Sequence, residues 1–152
     1  MKPVVIIGTD HAGYRLKERL KRWLTALGYE VLDFGTTSNR DMDYPDVVIP
    51  VAEAVAAAKG AAVGIVLGGS GNGEAMAANK VRGIRAALCY DAQTAKLARA
   101  HNDANILALG ARTMTRNAAL SQRIVHLFLT TSFTKEARHA RRLKKIAAYE
   151  AR

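Results

Sequence analysis

The run Val63-Gly64-Ile65-Val66-Leu67 passes directly into Gly68-Gly69-Ser70-Gly71-Asn72-Gly73-Glu74 and then into Ala75-Met76-Ala77-Ala78-Asn79-Lys80. No other stretch constrains the fold as strongly. An apolar, β-branched run without polar alternation is a strand buried on both faces, as in a parallel sheet. Four glycines within the next six residues allow a tight turn and a close approach of backbone to ligand. The alanine-rich segment that follows is a helix whose first N–H groups lack intrahelical partners. Strand, turn and helix together present a nest of donors to an anion.

The pattern excludes two common anions. A phosphate-binding Walker loop ends in Gly-Lys-Ser/Thr, whereas Gly73 is followed by Glu74-Ala75. The dinucleotide fingerprint G-x-G-x-x-G fails because Glu74 stands at its third glycine. A carboxylate there repels a dianionic phosphate. It suits the removal of a proton from carbon while nearby amides hold the resulting oxyanion. The motif alone is equally consistent with an acid that merely complements the helix dipole.

The remaining chain alternates strand and helix. Strands are expected at Pro3–Gly8, Tyr29–Phe34, the run before Gly68, Ile84–Cys89 and Asn105–Leu109. Tyr14–Leu27 carries Leu16, Leu20, Trp23, Leu24 and Leu27 at helical spacing, and Gly28 closes that helix. Further helices are expected from Tyr44-Pro45 to Lys59 with Pro50 near the start, from after Asp91 to about Ala100, from about Arg116 to Leu129, and from Thr134 onward. Five alternations predict a three-layer α/β/α sandwich: a five-stranded parallel Rossmann-like sheet with a C-terminal helix, in one domain spanning residues 1–152.

Charge is unevenly placed. Of a net +10, the segment 134–152 supplies +5 through seven Lys/Arg against Glu136 and Glu150. Such a concentration points to an anionic partner: a phosphorylated metabolite, nucleic acid, or simply solvent around a charged face. The lone Cys89 excludes a disulfide framework and, with no apolar run long enough for a signal or a span, leads to the expectation of a soluble cytoplasmic protein. His11, His101, His126 and His139 lack metal-ligand spacing, and His126 and His139 read as surface or packing residues.

In open parallel sheets ligands bind beyond the carboxyl ends of the strands. Asp10 and His11 follow strand one, Gly68–Glu74 follow strand three and Arg112 follows strand five. His101-Asn102 is placed in the loop feeding strand five. Six segments in order, Gly8-Thr9-Asp10-His11-Ala12-Gly13, Asp43-Tyr44-Pro45, Gly69–Gly73 with Ala77-Ala78-Asn79-Lys80, Gly83-Ile84-Arg85-Ala86, His101-Asn102-Asp103-Ala104-Asn105 and Gly110-Ala111-Arg112, resemble type B ribose-5-phosphate isomerases, whose superfamily includes galactose-6-phosphate isomerase. One branch of that family uses a cysteine base at the position of Gly68. This chain matches the branch that uses a glutamate, here Glu74.

The resemblance implies a cofactor-free aldose–ketose isomerase that interconverts ribose 5-phosphate and ribulose 5-phosphate through an enediolate. Glu74 is then the base, the amides of Gly69, Gly71, Asn72 and Gly73 form the anion hole, and Ser70 bonds or relays a proton at substrate hydroxyls. His101 opens the furanose ring with help from Asp10, and Asn102 and Tyr44 line the sugar site. Arg112, Arg138 and Arg142, with His11, take the phosphate, and Lys135 and Lys145 extend the basic stripe. Members of the family form homodimers or homotetramers with sites shared between subunits. The apolar positions Phe133, Ala137, Ala140, Leu143 and Ala147 suit the C-terminal helix to such an interface. Neither a metal, a membrane nor a nucleic acid is expected as partner.

Two other readings stay open on sequence alone. The substrate can be allose 6-phosphate, galactose 6-phosphate or a tetrose phosphate, because the motifs concern the reacting end of the sugar. The remote alternative is a basic nucleic-acid-binding module built on the C-terminal helix, although no reader motif or aromatic interleaving supports it.

Overall fold

The computed structural model describes residues 2–38 and 40–152. Five strands, β1 (Val4–Thr9), β2 (Val31–Asp33), β3 (Ala62–Gly68), β4 (Ala86–Leu88) and β5 (Ile106–Gly110), form one sheet in the order β2-β1-β3-β5-β4. Every pairing is parallel. The helices are α1 (Tyr14–Ala26), α2 (Pro45–Ala57), α3 (Asn72–Ala78), α4 (Ala92–Asn102), α5 (Ala111–Met114), α6 (Ala118–Thr130) and α7 (Ala137–Glu150). The expected α/β sandwich is present.

The side-chain period of two divides the central strands between two cores. Val5, Ile7, Val63, Ile65, Leu67, Leu107 and Leu109 face α1, α4 and α6, meeting Leu16, Leu20, Leu24, Ile124, Val125 and Phe128. Ile6, Val66, Ile106 and Ala108 face the other way, onto Val47, Val48, Val51, Ala52 and Val55 of α2 and Ala78 of α3. Both faces are covered, so these strands read as continuous apolar runs. Each fully buried leucine in such a core contributes about 2 kcal/mol relative to an exposed one.

Helix α1 ends as its sequence requires. Gly28 adopts φ +78°, its N–H donates to Thr25 O (2.9 Å), and Tyr29 N–H donates to Leu24 O (3.1 Å). These are the paired bonds of a Schellman motif, which needs a left-handed residue at this place.

The structure shifts several expected boundaries. The two edge strands shorten to three residues, because each has a neighbour on one side only. Pro50 lies inside α2 rather than near its start, on the exposed face. Short α5 follows β5 directly, and α6 begins at Ala118. Helix α7 begins at Ala137, so Lys135, at φ +57°, precedes it and does not extend its basic stripe.

Candidate active site

Register brings three loops to one point. Thr9 pairs with Leu67 across β1 and β3, and Gly68 pairs with Gly110 across β3 and β5. The chain therefore leaves the sheet side by side at Asp10, Gly69 and Ala111. The order β2-β1-β3 places a change of winding direction between β1 and β3, where a crevice opens at the carboxyl ends. Thr9 closes its floor by donating Oγ1 to Leu67 O (2.8 Å). Buried Asp10 caps the following turn, its Oδ1 accepting from Ala12 N–H (3.0 Å) and Gly13 N–H (3.3 Å).

The glycine loop is shaped by what lies against each residue. Gly71 caps α3 at φ +82°, and a Cβ there would stand 2.6 Å from Leu88 Cδ1 and 2.9 Å from the Leu109 carbonyl carbon. A Cβ on Gly73 would fall 2.7 Å from Cζ of Tyr44, so the tyrosine ring covers the first turn of α3. The Arg112 guanidinium lies across Gly69, with Cζ 3.1 Å from a Cβ built there, and Arg112 N–H donates to Gly69 O (3.1 Å). Ser70 is exposed at the tip, its Oγ accepting from Asn72 N–H (3.2 Å).

Glu74 is only 3% exposed. Its carboxylate folds back over the end of β3: a Cβ on Gly68 would sit 1.7 Å from Oε1. A side chain at residue 68 and the Glu74 carboxylate thus compete for one volume. That exclusion accounts for a chain with glutamate here having glycine there. Burial raises the proton affinity of Glu74 above that of an ordinary carboxylate, and the nearby Asp10 charge adds to the effect. The N–H groups of Glu74 and Gly71 oppose it without cancelling it. A buried carboxylate held this way, at the mouth of a donor-rich loop, is suited to proton transfer.

Asp10, His11, Tyr44, residues 69–74 and Arg112 are therefore together at one edge of the sheet. His11 Nδ1 lies 3.2 Å from Oδ1 of the exposed Asp41, a neighbour that its place in a polar loop did not signal.

The other predicted residues are elsewhere. His101 and Asn102 form the last turn of α4, not a loop, and α4 delivers the chain to the start of β5. The five residues of β5 separate that turn from the Arg112 edge by about 16 Å. Arg85 fixes the turn, with Nε donating to Asn102 O (3.0 Å) and Nη2 to Asp103 O (2.7 Å). Against it lies the start of α7, where Arg138 Nε donates to Glu136 Oε2 (2.9 Å) and Arg142 is exposed. Of its two expected readings, surface or packing, His139 takes the second. It is 5% exposed and its ring stacks on His101, centroids 4.1 Å apart and planes 13° from parallel. Nothing in the sequence relates these two histidines, which only folding brings together. His126 is exposed, as expected.

The apolar stripe of α7 is only partly covered: Ala137 and Ala147 are exposed, and His139 is the helix's buried residue. A cavity of about 550 Å³ separates Leu143 and Ile146 of this helix from edge strand β4 and from α4. Cys89 borders it but is 1% exposed, and burial pushes its thiol pKa up to about 12, so it is an inert core thiol. No helix among the described residues is long and apolar enough to cross a membrane.

The profile of the Ribose/Galactose Isomerase family matches residues 5–146. Ribose-5-phosphate isomerase B of Mycobacterium tuberculosis is 48% identical over 147 residues, covering 96% of this chain and 89% of the relative. The solved structure of Clostridium thermocellum ribose-5-phosphate isomerase B superposes with a TM-score of 0.91 at 47% identity, covering 97% of each chain. That of the Trypanosoma brucei type B enzyme gives 0.91 at 44% identity, covering 98% of this chain and 99% of the other. With the family profile matched over residues 5–146 and relatives 44–48% identical over almost the whole chain, this chain belongs to the Ribose/Galactose Isomerase family.

Proposed function

We propose that this protein interconverts D-ribose 5-phosphate and D-ribulose 5-phosphate, with Glu74 as the base. The observation that carries the reading is the Glu74 carboxylate, buried over Gly68 at the head of α3 with its proton affinity raised. Names of relatives at 44–48% identity favour the five-carbon substrate over six- or four-carbon sugar phosphates.

In the open-chain aldehyde, Glu74 removes the C2 proton, the C1 oxygen becomes an oxyanion, and an enediolate forms. The amides of residues 69–73 and the Ser70 hydroxyl stabilise that charge, Asn72 N–H and Gly71 N–H exchanging their bonds to Ser70 and Glu74 for the substrate oxygen. A proton passes from the C2 hydroxyl to the C1 oxygen, relayed by the Ser70 hydroxyl, and protonated Glu74 returns its proton to C1, giving the ketose. Before this, His101 donates to the ring oxygen and Asp10 assists at the sugar hydroxyl, opening the furanose. Asn102 holds sugar oxygens and Tyr44 walls the pocket. Arg112, Arg138, Arg142 and His11 take the phosphate, where guanidinium forks suit its oxygens.

This division of labour requires two copies of the chain. His101, Asn102, Arg138 and Arg142 stand at the edge opposite Glu74, so a second protomer supplies them to each site. The uncovered stripe of α7 and the cavity beside it are where the copies meet.

The test is conversion of ribose 5-phosphate in the presence of EDTA by wild type and Glu74→Gln. Turnover that survives the chelator and collapses in the variant supports the reading. Equal turnover by both proteins removes Glu74 from the mechanism. Wild type that ignores ribose 5-phosphate yet converts a six- or four-carbon sugar phosphate keeps the chemistry and changes the substrate.

A further inference from the structure

His139 has no part in the reaction as described above, yet it is the most thoroughly built contact of the ring-opening histidine. The linker before α7 is fastened to the end of α4 by two hydrogen bonds to one carbonyl: Thr134 N–H and Thr134 Oγ1 both donate to Ala100 O, each at 3.0 Å. This anchor lies one residue before His101. The chain then turns at Lys135, Glu136 caps α7, and the third residue of the helix, His139, lands flat on His101. On the other side, Arg85 holds the backbone of Asn102 and Asp103. The backbone beneath His101 is thus fixed from two directions, and the His139 ring fixes its plane.

Resting on the proposed role of His101 in ring opening, we infer that His139 is a positioning residue for that step: its stacked ring sets the plane of the His101 imidazole. A parallel stack tolerates one imidazolium but not two, because like charges about 4 Å apart repel. His139 is the ring on which a proton is disfavoured. Burial lowers its proton affinity, and the cations of His101, Arg138 and Arg142 lower it further, opposed only by Glu136. Its Nε2 is buried without a hydrogen-bond partner, 3.9 Å from Glu136 Oε2, which likewise leaves a proton there unsupported. His101 is the partly exposed member of the stack, open to the sugar.

The two substrates separate this role from a merely structural one. Ribose 5-phosphate reaches the enzyme as a closed furanose. Ribulose 5-phosphate has its C5 oxygen esterified and stays open. A defect confined to ring opening slows turnover of the first and spares exchange of the C1 proton of the second with solvent deuterium. The experiment measures both on wild type, His139→Ala and His139→Phe, the latter keeping a flat ring without a titrating group. For His139→Ala we expect kcat on ribose 5-phosphate to fall about tenfold or more, as for a misplaced catalytic group, with KM nearly unchanged. Deuterium exchange into ribulose 5-phosphate should stay within about twofold of wild type, and His139→Phe should recover most of the lost turnover.

Full turnover of ribose 5-phosphate by His139→Ala overturns the inference. So does an equal fall in turnover and exchange in both variants, which marks His139 as packing alone. Wild type that neither turns over the aldose nor exchanges label from the ketose removes the isomerase reading itself, and this inference with it. Wild type that does both, with variants that behave as wild type, removes the inference alone.

Discussion

Two buried charges in this molecule are handled in opposite ways. Lys17 of α1 is fully buried, yet its ammonium bonds Glu18 (2.7 Å) and Asp33, and the half-buried Lys21 bonds the same two carboxylates at 3.0 and 2.7 Å. Burial alone raises the proton affinity of Asp33, but the two lysines and the Gly35 N–H outweigh it, leaving this carboxyl below its ordinary value. Glu74 is buried as well, with no cation paired to it among the described residues and Asp10 nearby, and its proton affinity rises. The paired cluster ties α1 to the end of β2 and contributes to stability. The unpaired carboxylate is a liability to stability, which is how the proposed base differs from the paired cluster. Which of the two a buried charge becomes, the Lys17 ammonium or the Glu74 carboxylate, depends on whether an opposite charge is placed beside it.

That contrast can be broken most sharply at Glu74. Glu74→Gln keeps shape and removes the proposed base, and turnover of ribose 5-phosphate should fall by about a thousandfold or more in an initial-rate assay. Next in size is Lys17→Met. Removing the buried cation leaves Glu18 and Asp33 to Lys21 alone, and urea unfolding should show a loss of about 3 kcal/mol. Gly68→Ala follows. Its methyl takes the volume of the Glu74 carboxylate, so kcat should drop about a hundredfold while the melting temperature changes by only a few degrees.

The smallest effects come from pH, and their signs differ between the two regions. Glu74 has a folded pKa above its unfolded value, so ionising it above that pKa penalises the native state. At neutral pH Glu74→Gln should therefore melt a few degrees higher than wild type, and the gap should close as pH falls below the ordinary carboxylate range. A gap that persists at low pH would refute the assignment of this penalty to Glu74. Asp33 has a folded pKa below its unfolded value, so its stabilisation is present above the ordinary carboxylate range and is lost as pH falls through the folded pKa. Acid melting of Asp33→Asn should be correspondingly less steep than that of wild type.

The sequence by itself determined the sheet and one half of the site. Short, β-branched apolar runs bounded by turn residues read as strands covered on both faces, and Gly68–Glu74 reads as the turn from such a strand into a helix. Leu16, Leu20 and Leu24 marked the buried face of α1 because period and burial agree there. Edge strands were overextended because Ile84 and Arg85 look like strand residues. Ile84 instead fills the core of the α2 and α3 face, and Arg85 accounts for its backbone and side chain in bonds to Asn105, Asn102 and Asp103. The glycines were legible as glycines, but not their individual reasons. That Gly68 exists to admit the Glu74 carboxylate, Gly73 to admit Tyr44 and Gly69 to admit Arg112 depends on contacts between distant segments.

Tertiary structure alone decided the rest. It separated Glu74 from His101 by the length of β5, a distance set by sheet register that no local pattern encodes. It also laid His139 on His101, through a threonine bonded to a carbonyl at the end of another helix. Local residue patterns specify local geometry because period, turn chemistry and burial act over a few residues. Contacts across the sheet depend on how whole layers stack, and only the folded chain resolves them.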